Sequence, residues 1–471
     1  MKLAAMQVLS EGELRQIHEA TLTILQECGV KILNPDMFAF LCGQGCAADA
    51  DSHVVHFSQA DLERALETVP RTFEVFDRDG VPAFVLGDGT PRVAAGHNAI
   101  FWVDSETAKT RPSTVADVEQ FARLCEQLGN IDMIGIPVMP QDVPDPRATL
   151  LYGVRACIEN SRKPLFFSTD DVAVNGRIID MLAAVFPGDL ARQPYGIAQL
   201  SPTSPLFWEA SVLEALRETV ERDVPLAILP EPNAGVSAPY TLAGLLAVNN
   251  AECLSGIIIS QLLKPGAKVL YANSWTTTDM RTGHALVGSV ETSICRIAGA
   301  QLARHYGIPC HTTAPNSDNH AHDEQNAWEK TLSMLCAVAG GNDRTVNCGM
   351  FATGITCSHE QLLMDNEIAG LCRRLNGGVE VNQETLAVDT VKEIGPRGTG
   401  YLTALHTLER LRSPEYHTPT LAVRGPRAIW ESQGAPDTPA LARRHVESLA
   451  REVGNPLDAS RRARLAEMMT L

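Results

Sequence analysis

The feature that most constrains this chain is a regular alternation that begins near residue 114. Short, almost continuously apolar runs are separated by amphipathic segments of helical length. The apolar runs are "IDMIGIPV", "PLFFST", "PYGIAQL", "PLAILP", "KVLYANS", "PCHTTA" and "RTVNCGM". Strands apolar on both faces are those that crossover helices cover on either side. The joints are asymmetric. Helix-to-strand joints are tight and carry Gly or Pro, as in "KPGAKV", "YGIPC" and "AGGNDR", whereas strand-to-helix joints are long and polar. That asymmetry predicts an α/β fold of the TIM (β/α)8 barrel type, whose functional loops follow the C-terminal ends of the strands. An eighth strand is expected from the "HNAIFWVD" region or from the tail after residue 378. A doubly wound open sheet is the alternative, but no Gly-rich fingerprint follows any strand.

Residues 1–113 read as an N-terminal α+β extension packed on the barrel. "SEGELRQIHEATLTILQECGV" is a helix with Ser10 as its cap and Gly29 as its stop, and "SQADLERALETV" is a second helix. "TFEVFDR", "PAFVLG" and "HNAIFWVD" read as strands. Residues 114–413 form the expected barrel, and 414–471 a proline-bearing tail with a final basic helix, expected to wrap it. The net charge of −17 opposes phosphate backbones and anionic lipid, so neither nucleic acid nor membrane is an expected partner. The 12 cysteines include no C-x-x-C pair and sit mostly in apolar segments, which predicts free thiols in a reducing cytoplasm.

The residues after each expected strand define a candidate site. Asp170 and Asp171 follow the second and Trp208 the third. Glu231, Asn233 and Tyr240 follow the fourth, Trp275, Asp279, Arg281 and His284 the fifth, and Phe351 the seventh. After the sixth comes the polar run "APNSDNHAHDEQ", Ala314 to Gln325, which holds Asn316, Asp318, His320, His322 and Asp323. His-x-His is a metal-ligand spacing, with His311 upstream and Asp318 or Asp323 as a third ligand. No second cluster accompanies it, so no tightly bound metal is expected and a polar binding role is preferred. Aromatic residues make up only 5% of the chain. Trp208, Trp275 and Phe351 fall at strand ends and Phe101 and Trp102 in the N-terminal strand, and several such rings converging on one mouth would form a cage for a quaternary ammonium ion. Arg281 would then clamp a carboxylate. Glu231 with Asp170 or Asp171 is a candidate acid pair.

Longer stretches carry a resemblance. "PEPNAGVSAPYTLAGLLAVNNAECLSGIIISQLLKPGAKVLYANSWTTTDMRTG", "VETSICRIAGAQLARHYGIP", "SDNHAHDEQNAWEKT" and the N-terminal "LSEGELRQIHEATLTILQECGVKI" resemble the trimethylamine methyltransferase superfamily over about residues 8–425. The resemblance implies a barrel that passes a methyl group from an amine to the Co(I) corrinoid of a separate small protein. Founding members carry pyrrolysine in a barrel loop, and the matching region here has ordinary residues such as Asn316. The resemblance therefore points to members without pyrrolysine, similar to glycine betaine methyltransferases. Glycine betaine or a related quaternary amine is then the expected substrate. Trp275, Arg281, Trp208, Phe101, Phe351, Glu231 and Tyr240 are expected to bind it, with Asn316, His320 and His322 to orient it. A homo-oligomer is expected. The alternatives are a non-catalytic betaine-binding barrel and a metal-dependent hydrolase.

Overall fold

The computed structural model describes residues 6–104, 107–395, 398, 400–411, 413–451 and 457–471. Eight parallel strands close a barrel: β1 Arg92–Ala95, β2 Met133–Ile134, β3 Leu165–Ser168, β4 Gly196–Leu200, β5 Leu226–Ile228, β6 Val269–Asn273, β7 Cys310–Thr313 and β8 Arg344–Cys348. Each strand is followed by a covering helix: α1 Val115–Gln127, α2 Thr149–Asn160, α3 Val172–Val185, α4 Ala210–Glu221, α5 Leu242–Leu263, α6 Val290–Tyr306, α7 Glu324–Gly340 and α8 His359–Gly377. The seven runs read as strands are β2 to β8. The eighth strand comes first. It precedes "HNAIFWVD" and pairs with both β2 and β8, so the barrel starts before the boundary expected at residue 113. Of "HNAIFWVD", only Phe101–Val103 is a strand, and it lies in a small outer sheet against Thr356–Cys357.

Several of the helices start where side chains satisfy their first N–H groups. Asp171 caps α3, Thr241 caps α5 and Asp323 caps α7. Phe207 and Trp208 form a short strand beside Val30–Ile32 of the N-terminal part. The helix Glu11–Thr23 lies on α5 through a buried polar network. Asn250 donates to the Thr21 hydroxyl at 2.9 Å and accepts from Tyr271 at 3.0 Å. Glu252 accepts the Leu206 N–H and the Ser204 hydroxyl, both at 2.8 Å, and so ties down the loop after β4. Asn250 and Glu252 thus hold neighbouring segments in place. α5 is long and apolar enough to cross a membrane, but most of it is buried inside the protein.

A hairpin of Phe73–Phe76 and Pro82–Leu86 closes the N-terminal end of the barrel. Its Phe76 N–H bonds the carbonyl of Pro194, just before β4. Phe73, Val75 and Leu86 pack with the inward residues Met133, Ile197, Leu270 and Val346. Ala94, Ala227 and Ala272 in the same cluster leave interior space, which larger groups such as Phe166 and Arg344 occupy. The C-terminal segment returns across the outside: helix Thr438–Leu449 packs on α8 and α1, and helix Ala459–Glu467 on α3.

Candidate active site

A cavity of about 540 Å³ opens at the C-terminal end of the strands. Most of its lining side chains are polar, with Ala285, Val287 and Met350 adding apolar surface. His97 and Asn98 follow β1, Ser168 and Asp170 come from the end of β3, and Gln199 and Ser201 from β4. Glu231 and Asn233 follow β5, Ser274 follows β6, Thr313 and Asn316 come from the end of β7, and Asn347 from β8. Among these lining residues there is no Phe, Tyr, Trp, Cys or Lys.

The floor is a chain of hydrogen bonds. The carbonyl of Thr313 can only accept, and it takes a hydrogen from Asn316 Nδ2 at 3.1 Å. Asn316 Oδ1 therefore faces Asn347 Nδ2, at 2.8 Å. Asn347 Oδ1 then takes the Nδ1–H of His97, at 3.0 Å. This leaves His97 Nε2 to accept from Gln199 Nε2. One backbone carbonyl thus orients four side chains and sets the tautomer of His97. Burial pushes the His97 imidazolium down to about 4, with Arg344 adding to the effect, so the ring is neutral at pH 7. The backbone is bent to this arrangement. Asn347 has φ 99°, a region asparagine tolerates better than most residues. Gly96 has φ 83°, and a Cβ there would stand 2.8 Å from the Gly135 carbonyl oxygen.

Asp170 and Glu231 form an acidic wall. Both side chains are exposed into the cavity, whose walls limit their hydration. Desolvation raises Glu231 to about 7, against a lowering by the Ser274 hydroxyl, with a further rise from the charge of Asp170. Desolvation raises Asp170 as well. Such a pair attracts a cation while holding part of its own charge back near neutral pH.

Of the residues singled out from sequence, Glu231, Asn233, Asn316 and Asp170 meet in this cavity. The others do not line it. Trp275 is buried against Gly299 of α6, outside the barrel strands. Trp208 is buried too and donates to the Ser255 hydroxyl of α5 at 3.0 Å. Phe101 and Tyr240 are exposed, and Tyr240 and Arg281 line a separate groove beside Asp279. Arg281 has 90% of its side chain in solvent and lies 3.3 Å from Asp279, so it clamps nothing in the cavity. Phe351 is buried against the ring of His322, with centroids 4.8 Å apart. The aromatic cage is thus not assembled: the strand-end rings face the helices or solvent.

The polar run "APNSDNHAHDEQ" divides its roles. Asn316 enters the cavity floor. Asp318 accepts the N–H groups of Val287 and Gly288 at 2.8 and 2.9 Å, and Asp323 caps α7. His320 is exposed, and His322 turns into a groove under the C-terminal segment. His311 lies inside the barrel against Arg344. The three histidines diverge, and no group of three metal-ligating side chains gathers among the described residues. His97, Gln199 and Asn347 escaped the sequence reading. Gln199 and Asn347 did carry a signal, since each is an amide inside a strand of buried residues.

Residues 1–470 match the family model for trimethylamine methyltransferase (MTTB). The chain belongs to the trimethylamine methyltransferase family. It is 31% identical over 464 residues to trimethylamine methyltransferase MttB of Methanosarcina barkeri, covering 96% of this chain and 92% of that one. It is 28% identical over 464 residues to a glycine betaine methyltransferase of Desulfitobacterium hafniense, covering 97% and 95%. The fold is similar to the crystal structure of the monomethylamine methyltransferase MtmB of Methanosarcina barkeri. The TM-score is 0.51 at 13% identity, over 93% of this chain and 92% of the other. Members of this family are methylamine:corrinoid methyltransferases, and the cavity described above occupies the functional end of their barrel.

Proposed function

We propose that this protein transfers a methyl group from a cationic methylated amine, with betaine-type quaternary amines such as glycine betaine first, to the corrinoid of a separate small protein. The observation that carries the reading is the cavity itself. It places an acidic wall, Asp170 and Glu231, at the open end of the barrel, and no thiol or amine side chain stands among its lining residues to keep a methyl group. The acceptor is then brought to the mouth from outside. The corrinoid, when docked there, supplies a nucleophilic metal centre for the methyl carbon. The barrel residues bind the cation, point one N–CH3 bond outward and keep water from the reacting carbon. The leaving amine departs neutral and needs no proton, so no general acid is required. A partly protonated Glu231 opposes this loss of positive charge less than a full carboxylate would.

A protonated tertiary amine is the second reading. It is favoured by relatives at 30–31% identity named for trimethylamine, and Glu231 could accept its N–H. We place the protein in the cytoplasm, in keeping with its unpaired cysteines. We also expect self-association, in keeping with exposed Leu402, Leu405 and Leu408. The test is methyl transfer to a reconstituted corrinoid protein, read by its visible absorbance, with a panel of quaternary and tertiary amines. Turnover with at least one of them, unaffected by chelator, is expected. No turnover with any, beside an active corrinoid protein, would leave a binding barrel in its place. Loss of turnover with chelator would revive a metal-dependent chemistry.

A further inference from the structure

We propose that the floor of the cavity is a carboxylate subsite. A zwitterionic betaine would then stand in the barrel with its carboxylate down and its methylated nitrogen up, toward the acidic wall and the mouth. This inference rests on the methyl-transfer reading and names the part of the site that selects among methylated amines.

Two independent observations carry it. The first is the direction of the hydrogen-bond chain. Because the Thr313 carbonyl fixes its polarity, Asn316, Asn347 and Gln199 each give one amide hydrogen to the next partner and keep one. Three spare N–H groups therefore belong to residues that line the cavity, against one oxygen without a partner, Gln199 Oε1. That balance suits an acceptor-only guest, and a carboxylate is one.

The second is Arg344. It is fully buried inside the barrel, one layer below the floor. Its guanidinium stands 5.4 Å from the centroid of Phe166, whose ring lies 5.8 Å from that of His97. Its hydrogen-bond partners are His311 Nδ1 and, at 3.6 Å, the sulfur of Met133, and its Nε has none. Among the described residues, no carboxylate lies within ion-pair distance of it. Burial lowers its pKa to about 9, so it is still charged at pH 7, while burial and the Arg344 charge keep His311 neutral. An uncompensated cation in a dry interior is costly, and a carboxylate one layer above would offset part of that cost. The cavity is thus polarised along the barrel axis, positive beneath the floor and negative at the wall formed by Asp170 and Glu231. A betaine matches both poles. A choline or a trimethylammonium ion matches only one.

The test is calorimetric binding of glycine betaine, choline and trimethylammonium to the wild type and to Gln199→Glu, Arg344→Met and Arg344→Lys, with thermal melts to confirm folding. Gln199→Glu keeps the shape of the floor and removes its spare N–H, because the new carboxyl either gives its one proton to His97 Nε2 or pairs with the His97 imidazolium, so it serves if Arg344→Met does not fold. Betaine is expected to bind about tenfold or more weakly in Gln199→Glu and Arg344→Met, the scale of a charge-assisted hydrogen bond. Choline affinity should stay within about threefold, since no anion contact is lost. Arg344→Lys should recover part of the betaine affinity. Equal losses for betaine and choline would overturn the subsite, as would a wild type that binds no betaine. A wild type that demethylates only carboxylate-free amines would also overturn it while leaving the methyl-transfer reading intact. Betaine binding as expected, with no methyl transfer, would sink that reading and keep the subsite.

Discussion

The two ends of the barrel are built from the same eight strands yet solve opposite problems. At the N-terminal end, Phe73, Val75 and Leu86 of the hairpin fill the opening with apolar atoms. At the C-terminal end the wall is mostly amide, hydroxyl and carboxylate, and its order comes from directional bonds. Apolar packing tolerates small shifts and contributes stability in proportion to buried area. A hydrogen-bonded floor contributes less net stability but fixes which atoms donate and which accept. A buried ion pair reinforces that floor. Lys330 and Asp365, both fully buried, meet at 2.7 Å between α7 and α8. Lys330 reaches the Pro315 carbonyl at 3.4 Å, and Asp365 accepts the Gly349 N–H at 2.7 Å. The pair therefore holds the two loops that present Asn316 and Asn347.

Perturbing each end in turn sharpens this contrast. The largest effect is expected from Lys330→Met, which strands the Asp365 charge in the interior and should cost about 3–5 kcal/mol in urea unfolding. It should also lower kcat more than it raises KM, because the loops shift rather than the acids. Leu86→Ala at the closed end should cost about 3 kcal/mol, the usual range for a buried leucine. Methyl transfer by the folded variant should stay within about twofold of wild type, and a loss that tracks stability would erase the division between the ends.

Glu231→Gln tests the open end alone. Above about pH 7 wild-type Glu231 is ionised and attracts a cation, and below it the proton cancels the attraction. Choline should therefore bind more tightly as pH rises through about 7. The variant should bind about tenfold more weakly at high pH and show a flattened profile. The smallest effect is expected from Arg281→Ala, whose side chain is 90% exposed and lies 3.3 Å from Asp279. Stability should change by less than about 0.5 kcal/mol, with betaine turnover unaltered.

The repeating part of the fold was legible because each strand and helix carries its own pattern and the joints differ in kind. β1 was not, because it follows the hairpin strand Pro82–Leu86 rather than a helix and so stands outside the alternation that marks the other seven. At the site, Glu231 and Asn316 were legible as polar residues just past strand ends. Trp275 and Trp208 were misplaced for a geometric reason. Successive side chains near a strand end point to opposite sides, so one residue of offset decides between the cavity and the helix layer. Gln199 and Asn347 make the complementary case. They sit within strands whose apolar neighbours drew the reading toward packing, yet an amide in such a run needs a partner.

The late pairing of β1 also bears on how the barrel is made. Its partner on one side, β8, lies roughly 250 residues downstream, so at about 5–20 residues per second a growing chain exposes the outer edge of β1 for some ten to fifty seconds. Until β8 arrives, β1 and β7 are open edges with unpaired backbone groups, the arrangement that invites wrong pairing between chains. The barrel closes only when its first and last strands meet, which makes the C-terminal third of the chain the step on which productive synthesis depends.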